Sequence, residues 1–336
     1  MKRLLCLFLL LALLPLSLAY SEKAKPLYVA TGKISAPIYA EMDRVSSTVG
    51  RINPGVPIDV YALYPEWAYV GSGGKHGYVP RSYLINGKVI DKETTPPWGV
   101  EFYRYVGTAG ADGLTIYDAP DGGGNPLISL GEGARISIID LTDGWGRLAY
   151  YRQYGYVNTN QLKELLPVCA NAAEGTDLAP IAAFTSYYVV GSDDESVHGK
   201  EINIGVNCGY MNGNVIASGE TMNYDEYYGA YSPAKGYVKG PVLLDHGWGL
   251  GPGGGVCQVS STLYNVLLQL PGVNILQRTS HGPSGIAYLP LDMDAAVGNA
   301  GHGINMVFRN EYGFPLRLEA QAQDGALFIA AYRVTE

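Results

Sequence analysis

The N-terminal half of the chain repeats itself, and this repeat restricts what the first 165 or so residues can fold into. Trp67 recurs as Trp145, 78 positions later, and the same offset relates several other positions without a gap. The other matched pairs are Ile38-Tyr39 with Ile116-Tyr117, Gly55 with Gly133, Gly77-Tyr78-Val79 with Gly155-Tyr156-Val157, and Leu84 with Leu162. Self-similarity in a constant register indicates a duplicated structural unit.

Each copy is predicted to consist of short strands separated by turns. In the first copy, residues 57–61 alternate in polarity, a second strand begins at Trp67, and the turn Gly73-Gly74 precedes a third strand. Short, evenly spaced strands predict a small barrel. The pattern resembles the bacterial Src-homology-3-like domain, in which Ile-Tyr opens the fold, Trp begins a central strand and Gly-Tyr-Val leads to a closing turn.

This resemblance implies two all-β small barrels, at residues 28–90 and 105–166, of a kind that commonly docks to cell-wall polymers. The first barrel also offers aromatic candidates for a sugar- or peptide-binding groove, which are Tyr64, Trp67, Tyr69, Tyr78 and Tyr83. Barrels that act only as spacers or as intramolecular lids are the open alternative.

The first 19 residues predict export. Lys2-Arg3 precedes an apolar run at residues 4–16, and Ser17 and Ala19 put small residues at a cleavage position. Such a leader is typical of a cleaved secretory signal, and it is short for a membrane span; an uncleaved anchor is the alternative. We therefore expect a secreted or wall-associated bacterial protein without a membrane span after cleavage. A net charge of −8 with no basic run argues against nucleic acid as a partner.

The C-terminal part is organised around a glycine run that leads into one cysteine. Gly253-Gly254-Gly255 precede Val256 and Cys257, and an apolar stripe with the spacing of one helix face follows. The stripe consists of Val259, Leu263, Val266, Leu267 and Leu270. Cys257 is therefore predicted at a helix start, where free amides and the helix dipole stabilise a thiolate. A buried structural cysteine is the alternative.

Cysteine usage distinguishes Cys257 from the other two cysteines outside the leader, Cys169 and Cys208. Exported proteins tend to pair their thiols, and an odd number leaves one unpaired. We expect a disulfide between Cys169 and Cys208 and a free thiol at Cys257.

The region from residue 180 to 336 is predicted to be α+β, with a helix packed on a mostly antiparallel sheet. It resembles the VanW domain, named from a vancomycin-resistance cluster, most specifically in the run from Gly253 to Asn265. The other matching residues, in order, are Asn203-Ile204, Gly219-Glu220, Asn223, Gly236-Tyr237, Arg278, His281, Tyr288-Leu289-Pro290, Asp294-Ala295 and Asn310. The whole chain would then be multidomain, two barrels followed by this domain.

The resemblance implies a cysteine L,D-transpeptidase that makes 3-3 cross-links between peptidoglycan stem peptides, with Cys257 as nucleophile and His281 as base. The sequence departs from the family at Thr279-Ser280-His281-Gly282, where His-Pro-His-Ser is usual, and at Met222 and Ser218. A cysteine endopeptidase that hydrolyses stem peptides, and a non-catalytic wall-binding protein with a structural Cys257, remain alternatives.

The remaining site predictions follow from what nucleophilic catalysis requires. Asp294, Asp292 or a backbone carbonyl would orient His281, and the amides of residues 256–258 would form an oxyanion hole. Candidate substrate-binding residues are Gly254, Gly255, Gln258, Ser260, Ser261 and Arg278, although helix capping by the serines and a surface ion pair for Arg278 are alternatives. His246 and His302 are further candidates for lining the cleft. No metal-binding motif is present in the sequence, so neither a metal nor a cofactor is expected.

Overall fold

The computed structural model describes residues 25–335 except 92–94, 96–97, 245–246, 283, 291 and 299. The predicted leader at residues 1–19, most of the linker between the repeats, and His246 lie outside the described residues. The described part is mostly β with few helices, and its strands form several sheets. None of its helices is both long and apolar enough to span a bilayer.

The first repeat forms one seven-stranded antiparallel sheet in the order β3-β2-β6-β5-β4-β1-β7. Its strands are β1 (Tyr28–Gly32), β2 (Ala36–Tyr39), β3 (Thr48–Ile52), β4 (Pro57–Leu63), β5 (Trp67–Ser72), β6 (Lys75–Pro80) and β7 (Leu84–Val89). In β4 the alternation seen in the sequence buries Ile58, Val60 and Ala62 on one face. We call residues 28–89 the first β-module.

The second repeat, residues 105–167, is the second β-module. Its strands are β8 (Tyr105–Ala109), β9 (Leu114–Tyr117), β10 (Pro126–Leu130), β11 (Arg135–Ile138), β12 (Asp140–Thr142), β13 (Trp145–Tyr150), β14 (Gln153–Asn158) and β15 (Leu162–Pro167). They form a five-stranded sheet, β10-β9-β14-β13-β12, and a three-stranded sheet, β11-β8-β15. Both repeats are thus all-β over the predicted ranges, while their likeness to Src-homology-3 domains stays a prediction.

The C-terminal region, residues 182–335, packs helices on an antiparallel sheet of order β16-β24-β23-β17. Its helices are α1 (Glu195–Met211), α2 (Tyr224–Tyr228) and α3 (Val256–Leu267). Its strands are β16 (Ala182–Tyr187), β17 (Val215–Ile216), β18 (Thr221–Asn223), β19 (Lys239–Leu244), β20 (Gly247–Pro252), β21 (Val273–Arg278), β22 (Met306–Asn310), β23 (Leu316–Gln323) and β24 (Ala326–Arg333). Helix α3 lies against β16 and β24, and α1 lies against β19 and β23.

The apolar stripe and the capping residues explain both long helices. The five apolar residues predicted to share one face of α3 and its C-terminal turn are all buried. Helix α1 begins after Asp194, whose carboxylate accepts hydrogen bonds from the amides of Ser196 (2.8 Å) and Val197 (3.4 Å).

Three sequence patterns in this region predict local structures that do not form as expected: a β-hairpin turn at Asn212-Gly213, a glycine-rich loop at residues 247–255 and a strand at residues 286–289. Asn212-Gly213 is not a β-hairpin turn; it ends α1, where the Asn212 amide donates to Cys208 O (2.8 Å). Residues 247–252 are not a loop, because they pair with β19 as β20. Residues 286–289 form no strand, because the carbonyls of Ile286 and Leu289 accept hydrogen bonds from an arginine side chain instead of a neighbouring strand.

The second β-module is joined to the C-terminal region by a continuous interface. Tyr187 and Ala326 are part of the buried core of the second β-module, and Val106 is buried among residues of β16 and β24. Arg135 Nη1 lies 2.7 Å from Glu319 Oε2, and the Ser137 amide donates to Thr185 Oγ1 (2.9 Å). The two units are therefore held together by apolar packing as well as by polar contacts.

Candidate active site

Cys257 is the second residue of α3. The helix begins directly after Gly255, whose φ of 110° lies in a region that glycine adopts without strain. The cysteine is half-buried, and its Sγ lies 3.5 Å from the carbonyl oxygen of Val297. It therefore sits at the positive end of the helix dipole with its thiol partly accessible, as the sequence pattern predicts.

His281 and Asp294 lie beside this thiol. The Nδ1–H of His281 donates to Asp294 Oδ2 at 2.6 Å, and the backbone amide of His281 donates to the same oxygen at 2.6 Å. Cys257 is near enough to the imidazole to help raise its pKa. Burial opposes protonation of His281, but the hydrogen bond to Asp294 and the interaction with Cys257 outweigh burial and raise the pKa of His281 to about 9. Of the three orienting groups considered from the sequence, the structure places Asp294 in that role.

Arg278 completes the charged part of the site from the far side of Asp294. Its Nη2 lies 3.0 Å from Asp294 Oδ1, and its Nε donates to the Asp294 carbonyl at 2.7 Å. Burial alone would raise the pKa of Asp294, yet the His281 hydrogen bonds and Arg278 hold it below its ordinary value. The prediction that Arg278 binds a substrate carboxylate, or makes a surface ion pair, is therefore wrong, because its side chain is only 3% exposed and is engaged by Asp294.

Ser260 and Ser261 are buried and do not face a substrate. Ser260 Oγ donates to Ala295 O at 2.7 Å, and the Ala295 amide donates to Ser261 Oγ at 2.9 Å. Neither contact is helix capping. The two hydroxyls instead attach α3 to the segment that carries Asp294, so the predicted substrate contact of Ser260 is corrected to a supporting one.

Gln258 is also buried, 1% exposed, and it bonds away from the thiol. Its Nε2 donates to Tyr187 O at 2.9 Å and to Ser186 Oγ at 3.1 Å, both on β16. It therefore anchors the start of α3 to the sheet and is not a substrate-binding residue.

Gly254 and Gly255 are required for packing. A Cβ on Gly254 would collide with the backbone of Gly240 in β19, and a Cβ on Gly255 would lie 2.8 Å from Lys200 Cγ. The Gly254 carbonyl also accepts a hydrogen bond from Asn203 Nδ2 at 2.8 Å. These contacts bring α1 and β19 against the loop before Cys257, and the predicted contact of the two glycines with substrate stays a prediction.

Two of the three backbone amides predicted to form an oxyanion hole are already engaged in hydrogen bonds. The amide of Val256 donates to Gly253 O (3.1 Å) and that of Gln258 donates to Gly255 O (2.9 Å), both within the turn that starts α3. Of the three amides considered from the sequence, the Cys257 amide is left as the candidate to stabilise a developing oxyanion.

Sequence reasoning missed two residues near the thiol, Lys200 and Tyr288. Lys200 lies on α1 with its Nζ 5.0 Å from the centre of the Tyr288 ring. Burial lowers the pKa of Lys200 to about 8, and the nearby Cys257 opposes this shift. Burial raises the pKa of Tyr288, and the nearby Ser261 hydroxyl opposes this shift. No local pattern marks Lys200 as a site residue, because only the packing of α1 on α3 brings it there.

The predicted disulfide is not formed, because Cys169, Cys208 and Cys257 are all free. Cys208 is buried in the core on α1, where burial raises its pKa to about 12. Cys169 instead donates from Sγ to Asn171 O at 3.1 Å.

The position of His302, the other histidine predicted to line the cleft, does not support that prediction. His302 is exposed in the short 3₁₀ helix Ala300–His302. Within the described residues, no group of three or more His, Cys, Asp or Glu side chains is arranged to hold a metal ion.

Comparison with known proteins relates the C-terminal region to one family. The family model described as "VanW like protein" matches residues 199–332. The "Uncharacterized protein YoaR" of Bacillus subtilis (strain 168) is 33% identical over 130 residues, which cover 39% of this chain and 42% of that protein. The match thus spans less than half of the relative's length. Helix α3, Cys257, His281 and Asp294 all lie within the range that the family model covers, and these findings identify residues 199–332 as a VanW-like domain.

Proposed function

We propose that the VanW-like domain catalyses acyl transfer through a thioester on Cys257. The observation that carries the proposal is the arrangement of three side chains, in which His281 is held by Asp294 at 2.6 Å and lies near enough to Cys257 for the thiol to help raise its pKa. A thiol at a helix start, a base and a buried carboxylate that orients the base are the elements of a cysteine nucleophile. A purely structural cysteine requires none of these contacts.

The proposed reaction proceeds in two balanced steps. His281 takes the thiol proton, and the Cys257 thiolate attacks the carbonyl carbon of an amide. The C–N bond breaks, and the departing amine takes the proton from His281, which leaves a thioester. A second amine then gives its proton to His281 and attacks the thioester, so that a new amide forms and the thiol of Cys257 is restored.

The substrate class follows from the resemblance to L,D-transpeptidases, and we propose peptidoglycan stem peptides as donor and acceptor. The thiolate would attack a tetrapeptide stem and release its terminal D-Ala, and the side-chain amine of a second stem would resolve the thioester to give a 3-3 cross-link. This chemistry belongs outside the cytoplasmic membrane, in agreement with the predicted secretory leader.

The first β-module supports a wall polymer as partner. Tyr69 contacts three other rings on the β4–β5–β6 face, those of Tyr61, His76 and Tyr78, at 6.2, 5.9 and 5.0 Å between centroids. These rings are partly or fully exposed and carry polar tips, which suits stacking on sugar rings. At the position equivalent to Tyr61 on this face, the second β-module has Ile139, which is buried in the core shared with the C-terminal region. At this position the first module therefore presents an aromatic ring where the second module packs against the C-terminal region.

The test is to incubate the chain from residue 20 onward with purified disaccharide-tetrapeptide and to identify the products by mass spectrometry. A cross-linked dimer that has lost one D-Ala supports the proposal, and Cys257→Ala should abolish it. Cys169→Ala is the matched control, because Cys169 lies outside the site and should leave product formation unchanged. Shortened stems without cross-links would show that the domain is a hydrolase instead of a transferase. An equal yield of either product from Cys257→Ala and wild type would overturn both activities.

A further inference from the structure

The two β-modules differ at the turn between their paired long strands. In the first module this turn is Gly73-Gly74, and both residues have positive φ. In the second module the equivalent positions between β13 and β14 are Tyr151 and Arg152, and Tyr151 adopts a φ of 54°. A residue with a side chain is strained in that conformation, and such strain persists only where surrounding contacts maintain it.

The contacts that maintain this turn reach into the VanW-like domain. Arg152 Nη2 donates to the carbonyls of Ser284 (2.8 Å) and Ile286 (2.9 Å), and Arg152 Nε donates to that of Leu289 (3.1 Å). The Tyr151 ring packs on Tyr150 at 4.8 Å, and Tyr150 in turn packs on Tyr187 of β16 at 5.0 Å. A guanidinium can satisfy three acceptors at once because its donors form a rigid planar fork.

The carbonyls that Arg152 binds belong to a segment, residues 284–290, that has no strand partner of its own. It follows His281 closely in the chain and ends just before the residues that lead to Asp294. It also carries Tyr288, whose ring centre lies 5.0 Å from Lys200 Nζ of α1. The hydrogen bonds of Arg152 therefore constrain the stretch of chain between the base and the carboxylate that orients it.

We infer that Arg152 of the second β-module is a positioning residue for the base His281, so that this module completes the active site instead of serving as a spacer. The inference rests on the proposed function of Cys257 and His281. Arg152 is exposed and acts only through the segment it binds; the two units are joined independently by the apolar core and by Arg135 and Glu319. Replacement of Arg152 should thus leave the fold intact and disturb the site.

The test compares Arg152→Ala and Arg152→Lys with Lys163→Ala, which removes an exposed ion pair of the same module (Lys163 to Glu132, 3.4 Å). The rate of Cys257 alkylation by iodoacetamide is measured from pH 5 to 10, together with hydrogen exchange of residues 284–290. We expect Arg152→Ala to slow alkylation at pH 7 about tenfold, which corresponds to about 1.4 kcal/mol, and to shift the pH profile. Exchange of the segment should accelerate while the melting temperature stays within about 2 °C.

Arg152→Lys keeps the charge but loses the planar fork, and it should fall between wild type and Arg152→Ala. Lys163→Ala should match wild type throughout. An alkylation profile that is unchanged in both Arg152 variants would overturn the inference, as would unchanged hydrogen exchange. Neither measurement requires substrate, so failure of the wild-type chain to form a cross-linked or shortened product would count against the proposed function alone.

Discussion

Replacement of Asp294 by asparagine should damage stability and the site together, because one carboxylate serves both. Its Oδ2 accepts two hydrogen bonds from His281, and its Oδ1 is paired with Arg278. The side chains of Asp294 and Arg278 are 1% and 3% exposed, so water cannot take the place of either partner. Asp294→Asn keeps the shape of the side chain and removes the charge.

The size of the effect follows from this burial. Removal of one partner of a buried ion pair costs about 3–5 kcal/mol, because the remaining charge is left without compensation. We expect Asp294→Asn to lose that much of the free energy of unfolding, and Arg278→Met to lose a similar amount. The double variant should lose less than the sum of the two, because it leaves no unpaired charge, with a coupling of about 1–3 kcal/mol.

Urea denaturation of the four proteins measures these differences, and alkylation of Cys257 at pH 7 measures the effect on the site. The double variant should show this coupling in its stability but no recovery of thiol reactivity, because His281 still lacks its carboxylate. Additive losses in the double variant, or an Asp294→Asn protein within 1 kcal/mol of wild type, would refute the account of this buried pair.

Three further outcomes are expected. Gly199→Ala should destabilise the protein by more than about 2 kcal/mol in thermal or urea unfolding, because the new Cβ would collide with Lys239 O. Gly205→Ala, on the open face of α1, should instead stabilise the protein by about 0.5–1 kcal/mol. Because its pKa is raised to about 9, His281 stabilises the fold fully below about pH 6.5 and loses this contribution towards pH 9. The deficit in unfolding free energy of His281→Gln should therefore be about 3 kcal/mol larger at pH 6 than at pH 9.5, and a constant deficit would contradict the assignment. Thiol titration of the denatured, unreduced chain from residue 20 onward should give three free thiols. A single free thiol would instead support the disulfide between Cys169 and Cys208.

Local sequence patterns predicted the elements whose causes are local. The apolar spacing behind Cys257 placed α3 and its buried face, and the alternation around Ile58 and Val60 predicted β4. The placement of Cys257 at a helix start followed from the same spacing. The sequence also offers Asp294 as one of three candidates to orient His281, and the structure shows the hydrogen bond between them.

Contacts between distant parts of the chain could not be read from these patterns. Arg278 resembles a surface cation in sequence, and only the fold buries it against Asp294. The segment around Ile286 has the apolar pattern of a strand. Its carbonyls instead accept hydrogen bonds from Arg152, more than 130 residues earlier in the chain. Lys200 reaches the site because Gly255 leaves space for its side chain against α3. In each case tertiary packing decided the role of the residue.

The central claim, that Cys257 carries an acyl group, is tested most directly by isolation of that acyl-enzyme. The chain from residue 20 onward is mixed with disaccharide-tetrapeptide, quenched in acid within seconds and digested, and the peptide containing Cys257 is weighed by mass spectrometry. We expect an adduct equal to the donor minus its terminal D-Ala, released by hydroxylamine and absent in Cys257→Ala. Cross-linked or shortened product that still forms with Cys257→Ala, or an adduct on another residue, would contradict it.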